Sequence, residues 1–91
     1  MFIVVCYDIP SNKRRNKVAQ TLEGFGYRVQ ESVFECEVSA EQYGKMKQKI
    51  TRRIEAEEDS VRYYSLCANC LAKIEIAGLG EVKRDERSYV V

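Results

Sequence analysis

Residues 2–7 form a nearly continuous run of apolar and mostly β-branched side chains, FIVVCY. Because such a run has no polar face, it is typical of a central strand that is covered on both sides. Asp8 stands where the run ends, and Pro10 and Ser11 then supply a helix start with Ser11 as the N-cap. The sequence therefore predicts a buried first strand that leads directly into a helix.

The first helix is predicted over about residues 12–25. Its buried stripe consists of apolar residues at helical spacing, and Gly26 supplies the C-terminal stop. The members of the stripe are Val18, Ala19, Leu22 and Phe25.

Residues 27–38 have the composition of extended chain, but their apolar face changes partway. Val29 and Val33 fall on one face, whereas Phe34 and the alternate residues after it fall on the other. A single strand has a strict period of two, so we expect either a β-bulge or a tight turn between two short strands near residues 30–32.

The second half of the chain repeats the alternation of helix and strand. Ser39 and Gln42 form a Ser-x-x-Gln capping box, which predicts a second helix over about residues 40–57. A strand is expected over residues 61–66, followed by a short turn or helical element over residues 67–72.

The predicted element order is β, α, β, β, α, β, with a further strand after the last of these elements. Two helices are too few to cover both faces of a sheet, so the sequence predicts an α+β, ferredoxin-like βαββαβ sandwich with an extra C-terminal strand. We expect a single domain over residues 1–91. Because so short a chain buries only about 60–65% of its unfolded surface, homodimerisation is the expected way to cover the helix-free sheet face.

The 91 residues include no histidine. This absence excludes Ser-His-Asp and Cys-His nucleophiles and metal sites built on imidazole. Any catalysis must therefore use carboxylates, lysine, tyrosine, cysteine or a metal held by oxygen.

The net charge of +1 conceals two basic clusters. Each is either a phosphate-binding surface or an ordinary solvated helix face. The first basic cluster contains Lys13, Arg14, Arg15 and Lys17, and the second contains Lys45, Lys47, Lys49, Arg52 and Arg53.

Asp8 places a carboxylate at the end of a buried strand, next to the first basic cluster. In a symmetric dimer a second Asp8 could face the first, and two such carboxylates repel unless a proton or a divalent cation lies between them. This pattern favours Mg²⁺. The alternative is that Asp8 only ends the strand and interacts with the first helix.

Cys67 and Cys70 form a CxxC pair, which is half of a structural zinc site. Cys6 and Cys36 would have to converge on it, so the alternative is small side chains at a turn after a strand. Four cysteines are too few for a disulfide scaffold, and the chain shows no signal peptide and no apolar run of transmembrane length. We expect a protein of the reducing cytosol with no membrane partner.

Several segments, taken together and in order, resemble one known family. They are YDIP (7–10), RRNKV (14–18), GFGYRVQESVFE (24–35), DSVRYYSLC (59–67) and Gly78-Leu79-Gly80. The combination resembles the CRISPR-associated Cas-two family, the small adaptation nuclease of prokaryotic immunity. The resemblance extends from residue 1 to about residue 80.

The resemblance implies a ferredoxin-like homodimer in which C-terminal segments extend the partner's sheet, so residues 81–91 are expected to be ordered by the partner. It also implies a weak, metal-dependent endonuclease that uses Mg²⁺ or Mn²⁺ on single-stranded RNA or double-stranded DNA, in the cytoplasm of a prokaryote. The implied protein partner is the Cas-one integrase during spacer acquisition.

The resemblance also suggests site residues. Asp8 takes the place of the metal-binding, catalytic aspartate. Tyr7 beside it is expected to be catalytic as well, and so are Arg15 and Arg28, which fall on basic positions implicated in activity. Lys17 stands where some relatives carry arginine. Lysine keeps the positive charge but loses the bidentate geometry of a guanidinium. The expected contacts to nucleic acid are Lys13, Arg14, Arg15, Lys17, Arg28 and Phe34.

Two other functions remain open at this point. The dimer could be a catalytically silent scaffold for the Cas-one integrase. In that case the dimer would bind DNA through its two basic clusters. A small regulatory module that binds a metabolite is a third possibility, although it leaves both clusters unexplained.

Overall fold

The computed structural model describes residues 1–73 and 75–78. The strands within these ranges form an antiparallel sheet in the order β2-β3-β1-β4. This is the strand order of the split βαββαβ arrangement, so the predicted ferredoxin-like fold is confirmed. The elements are β1 (Phe2–Asp8), α1 (Asn12–Glu23), β2 (Tyr27–Gln30), β3 (Val33–Glu37), α2 (Ala40–Thr51), β4 (Ser60–Leu66) and α3 (Ala68–Ala72).

β1 lies in the middle of the sheet and pairs with β3 on one side and β4 on the other. Ile3, Val5 and Tyr7 alternate along it towards the helical layer, and all three are buried in the main core. The prediction of a buried first strand is therefore confirmed. The helices and β3 complete this core with Val18, Ala19, Leu22, Phe34, Cys36, Met46 and Ile50.

The opposite sheet face lacks the cover that α1 and α2 give to the core face. Val4 lies there between Glu35 and Tyr64 in the strand register. Tyr27, which pairs with Glu35, is 55% exposed and Tyr64 is 47% exposed. Burial nevertheless raises the pKa of Glu35. The face thus combines exposed aromatic surface with a carboxyl group that is already partly shielded from water.

The change of face between residues 27 and 38 has two structural causes. β2 and β3 are separated by a turn at residues 31–32. The pairing of the two strands is also irregular between Arg28 and Gln30. The predicted turn is therefore present, together with an irregularity in the strand pairing just before it.

Gly26 has a different role from the predicted helix stop. α1 already ends at Glu23, with Gly24 as its cap, and Gly26 has no positive φ. A Cβ at Gly26 would lie 2.3 Å from the carbonyl oxygen of Glu35 and 2.6 Å from the sulfur of Cys36. Gly26 is thus required because the chain passes close to β3.

α2 begins as predicted and ends earlier. Its capping box is formed, with the Gln42 backbone amide donating to Ser39 Oγ at 3.1 Å and the Ser39 amide donating to Gln42 Oε1 at 2.9 Å. The helix stops at Thr51 instead of residue 57. Acidic residues at a helix C-terminus oppose the helix dipole, and Asp59 instead accepts from the Glu55 amide at 2.8 Å.

The predicted element after β4 is the short helix α3, and Lys73 caps it. Residues 75–78 belong to no helix or strand, and Gly78 has a φ of +86°, as expected for a turn glycine. Residues 73 and 75–78 thus form no part of the predicted extra C-terminal strand. The rest of that prediction and the partner-ordered tail fall on residues 74 and 79–91, which lie outside the described residues. Within the described ranges, none of the helices is long and apolar enough to cross a membrane.

Candidate functional site

A depression of about 290 Å³ lies where β1 passes into α1, beside the turn between β2 and β3. It brings together three residues that the sequence analysis selected, Tyr7, Asp8 and Arg15. Ile9, Glu31 and Ser32 complete its lining. Glu31 was not a sequence candidate, because it belongs to a turn whose position depends on strand pairing.

Asp8 is the last residue of β1 and pairs with Ser60 across the strand register. Its side chain is exposed, in contrast to that of Tyr7 just before it. Within residues 1–73 and 75–78, its carboxylate has no hydrogen-bond or ion-pair partner. The backbone of Asp8 is therefore fixed by the sheet, whereas both oxygens of its side chain are free to accept a ligand.

Tyr7 is buried, and its contacts are internal. Its hydroxyl donates to the Glu31 carbonyl at 3.1 Å, and its backbone amide donates to the Ser32 carbonyl at 3.1 Å. Its ring centre lies 6.3 Å from that of Phe34. Tyr7 thus holds the β2–β3 turn against β1 and shapes the depression, a placement that favours a positioning role over the predicted catalytic one.

Arg15 forms part of the wall of the depression. Its Nη1 donates to the Ile9 carbonyl at 3.0 Å, and its Nη2 donates to Asn12 Oδ1. Two local acceptors therefore hold the guanidinium beside Asp8. Because a guanidinium has five N–H donors, others remain for a phosphate.

Arg14 is engaged in a different way from its neighbour. Its Nε and Nη2 donate to the two oxygens of Asp59 at 2.8 and 3.0 Å, and Nη2 also donates to Glu58 at 2.8 Å. These carboxylates raise the pKa of Arg14, and the Arg14 guanidinium lowers that of Asp59. The charge of Arg14 therefore ties α1 to the loop after α2, and its contact with nucleic acid stays a prediction.

The predicted contact between Phe34 and nucleic acid is wrong. Its side chain is fully buried in the core, so nucleic acid cannot reach it. Arg28 is exposed with its guanidinium carbon 5.3 Å from the Phe34 ring centre, but Arg28 does not line the Asp8 depression. Lys13 and Lys17 are exposed and, in the part of the chain that the structure describes, neither has an ion-pair partner.

A second concave surface, called the basic cleft here, has a volume of about 560 Å³. The last turns of α1 and α2 form it, and its lining residues are Gln20, Thr21, Gly24, Phe25, Lys49, Arg52 and Arg53. Lys49 Nζ lies 5.5 Å from the Phe25 ring centre. The second basic cluster indicated charge here, but the contribution of α1 could not be seen before the helices were packed.

The second basic cluster divides into engaged and available cations. Lys45 pairs with Glu41 at 3.5 Å, and Lys47 Nζ lies 4.1 Å from the Tyr43 ring centre. Among the described residues, the Arg52 and Arg53 side chains have no carboxylate partner. The cations that line the basic cleft are therefore those available to bind an anion.

Comparison with known proteins places these features in a family. The model of the family described as CRISPR associated protein Cas2 matches residues 1–74. This chain belongs to the Cas2 family. The resemblance stated from the sequence motifs is therefore confirmed.

Individual Cas2 proteins resemble the chain over most of its length. The "CRISPR-associated endoribonuclease Cas2 1" of Chloroflexus aurantiacus is 49% identical over 81 residues, which are 88% of this chain and 87% of the relative. The crystal structure of Streptococcus pyogenes Cas2 at pH 6.5 has a TM-score of 0.77 and 35% identity, and it covers 86% of this chain and 100% of its own.

One further match comes from an assembly. A chain of a partial Cas6-RT-Cas1–Cas2 complex has a TM-score of 0.73 and 29% identity, covering 82% of this chain and 88% of its own. The similar Cas2 structures thus include both an isolated protein and a member of a larger complex.

Asp8 is the residue in this Cas2 family member that could hold a divalent cation. No group of three or more His, Cys, Asp or Glu side chains within the described ranges could hold a metal. The oxygen-rich depression suits a hard cation such as Mg²⁺, but one chain lines it with only two carboxylates, those of Asp8 and Glu31. The residues fit such an ion only if a second copy contributes its own Asp8.

Proposed function

We propose that the chain is a weak, metal-dependent endonuclease of CRISPR adaptation that hydrolyses RNA or DNA phosphodiester bonds as a homodimer. The observation that carries the proposal is the unpartnered Asp8 carboxylate, held at the end of a rigid strand beside Arg15. The endoribonuclease name of the Chloroflexus relative supports RNA as the first substrate to test. The four cysteines of this chain are free, which agrees with a reducing prokaryotic cytoplasm.

The homodimer is needed because one chain offers too few ligands. The helix-free sheet face supports self-association, because it exposes Tyr27 and Tyr64 around the half-buried Val4 and Glu35. Covering apolar surface of this kind is how small chains enlarge a thin core. A twofold axis at this face would bring corresponding strand ends of the two protomers into one region.

Within the proposed dimer, Asp8 from each protomer would hold Mg²⁺ or Mn²⁺. When bound, such an ion would stabilise negative charge on the phosphate oxygens and acidify an attacking water. Arg15 presents its remaining N–H donors to a phosphate on the wall of the depression. Since the chain has no histidine, an Asp8 oxygen or solvent must accept the proton, so we expect slow, pH-dependent turnover.

The test compares Asp8→Asn with Glu31→Gln, because each removes one carboxylate charge from the same depression. Cleavage of labelled single-stranded RNA and duplex DNA is measured over a series of pH and Mg²⁺ concentrations. Asp8→Asn should reduce Mg²⁺-dependent cleavage by at least about a hundredfold, while Glu31→Gln retains most of it. Sedimentation checks that each variant remains folded and dimeric. Undiminished cleavage by Asp8→Asn refutes the proposal.

A second candidate function is a catalytically silent scaffold that binds duplex DNA beside the Cas1 integrase. The basic cleft supports it, because Lys49, Arg52 and Arg53 offer cations without carboxylate partners among the described residues. The similarity to a chain of a Cas1–Cas2 assembly also supports it. Strong, salt-dependent binding by both wild type and Asp8→Asn, with no cleavage by either, would favour the scaffold.

A further inference from the structure

The nuclease proposal leaves the pair Cys67 and Cys70 unexplained. Cys67 is the N-cap of α3, and Cys70 lies one turn further along the helix. Their sulfur atoms are 3.4 Å apart, and both side chains are exposed. Two thiols are thus held next to each other at the surface, directly after β4.

This spacing is close to that of a disulfide. The S–S bond length is about 2.05 Å, so the sulfurs must approach by a distance that side-chain rotation can supply. The backbone of α3 therefore need not unfold for the two sulfurs to bond.

The two thiols differ in their acidity. The backbone amide of Cys70 is the main cause that lowers the pKa of Cys67, and the hydrogen bond with Cys67 raises the pKa of Cys70. A CxxC pair with one acidic, exposed thiol has the features of an attacking cysteine and a resolving cysteine.

The other cysteines provide an internal contrast. Cys36 is buried in the core, and burial, with the nearby Glu35 charge, raises its pKa to about 11. Cys6 is half-buried on β1. Reactivity towards small reagents should therefore be concentrated at α3.

We propose that Cys67 and Cys70 form a redox-active dithiol that is oxidised by low-molecular-weight disulfides. The Cys67 thiolate attacks one sulfur of the small disulfide, which gives a mixed disulfide and releases one small thiolate. Cys70 then loses its proton and attacks the Cys67 sulfur, releasing the second. One small disulfide gains two electrons and two protons as the protein dithiol becomes an intramolecular disulfide. This activity does not depend on the proposed nuclease function.

The test exposes the full reduced chain to defined ratios of reduced and oxidised glutathione. Free thiols are then trapped with an alkylating reagent, and the bridge is mapped by peptide mass spectrometry. We expect a Cys67–Cys70 disulfide, with the mass of two hydrogen atoms lost and two of the four thiols protected. In the reduced chain, Cys67 should be alkylated at least about a hundredfold faster than Cys36.

Single variants separate the two roles. Cys70→Ser should accumulate a stable mixed disulfide at Cys67, because the resolving thiol is gone. Cys67→Ser should be oxidised at Cys70 at least about tenfold more slowly than the wild type. Cys6→Ser is the matched control and should form the bridge as the wild type does.

Three outcomes overturn the proposal. The wild type could accumulate two separate mixed disulfides without an internal bond, or it could link two copies through Cys67. Alternatively, both thiols could be protected by zinc at a stoichiometry that native mass spectrometry reveals.

Discussion

The Asp8 depression and the basic cleft lie against opposite ends of α1 and hold their charges differently. At the first turn, Arg15 is fixed by Ile9 and Asn12, which leaves it a defined position beside one free carboxylate. At the last turn, Arg52 and Arg53 extend from the end of α2, and no carboxylate among the described residues holds either side chain. The first arrangement suits a directed contact to a phosphate, and the second suits attraction to any polyanion.

This difference shows why counting charges is not enough to find a binding surface. The two basic clusters look alike in sequence, yet Arg14 is neutralised by Asp59 and Glu58, which lie far away in the chain. Removing Arg14 from the first basic cluster and Lys45 from the second leaves fewer available cations than the sequence suggests. The remaining cations are separated into a small, ordered site and a broad, electrostatic one.

Gly26→Ala should produce the largest effect, a loss of overall stability. The new Cβ would lie 2.3 Å from the Glu35 carbonyl oxygen and 2.7 Å from the Cys36 Cα, and backbone atoms cannot rotate away. We expect the free energy of unfolding in urea to fall by about 1–3 kcal/mol or more. Gly44→Ala is the control, because nothing lies within 4 Å of its added Cβ. That variant should be stabilised by about 0.5–1 kcal/mol, and equal effects of the two would refute this account.

Neutralising the basic cleft should weaken nucleic-acid binding next most strongly. For Arg52→Ala/Arg53→Ala, the salt slope of binding should become shallower by about 1.4 for a single strand and about 1.8 for a duplex. Affinity near 0.1 M salt should fall by about tenfold. Lys45→Ala/Lys47→Ala removes the same charge from cations that are already engaged. Fluorescence anisotropy in a salt series compares the two double variants. Identical salt slopes would show that the basic cleft contributes no more to nucleic-acid binding than the engaged lysines do.

Asp59→Asn should show how much the contacts of Arg14 with Asp59 and Glu58 contribute to stability. The pKa of Asp59 is lowered in the folded state, so its stabilisation is present above the ordinary value near 4 and is lost as the pH falls through the lowered one. The melting temperature of the wild type should therefore drop at acidic pH by more than that of the variant. Glu58→Gln is the control, since Glu58 is 64% exposed and solvent weakens its ion pair. Parallel pH profiles for the wild type and Asp59→Asn would contradict the prediction.

Arg15→Lys should have the smallest effect, confined to cleavage. Lysine keeps the charge, but its single ammonium group cannot donate to Ile9 and Asn12 and also offer two parallel N–H donors to a phosphate. We expect kcat to fall by about three- to tenfold at little cost in binding. Lys45→Arg, which exchanges the same residue types outside the depression, should leave kcat unchanged. An equal loss in both variants would place the effect outside the site.

Local patterns in the sequence were enough for the order of elements and for their starts. Ser11 and the Ser39–Gln42 pair act on backbone amides three residues away, so their helix starts could be predicted from neighbouring residues. The change of apolar face near residues 30–32 likewise predicted either a β-bulge or a turn, and a turn separates β2 from β3. Asp8 and Arg15 met as expected because a strand and the following helix start are joined by a short connection.

The early end of α2 has a local cause, because acidic residues near its C-terminus oppose the helix dipole and Asp59 accepts from the Glu55 amide. The other failures involve partners that are distant in sequence. Glycine is required at position 26 because the chain passes close to β3, and Phe34 is buried because it packs in the core. These features require the packed sheet and helices, so propensity and periodicity alone could not predict them.

The central position of β1 also has a consequence for biosynthesis. β1 leaves the ribosome before both of its neighbours, β3 and β4, and Phe2 pairs with Leu66. Until β3 and β4 are synthesised, the backbone N–H and C=O groups at the edges of this apolar strand are unpaired, and such edges can pair with other chains and aggregate. A chain that stalls or is cut before Ser60 would keep that edge bare, so the yield of native protein depends on prompt arrival of β4.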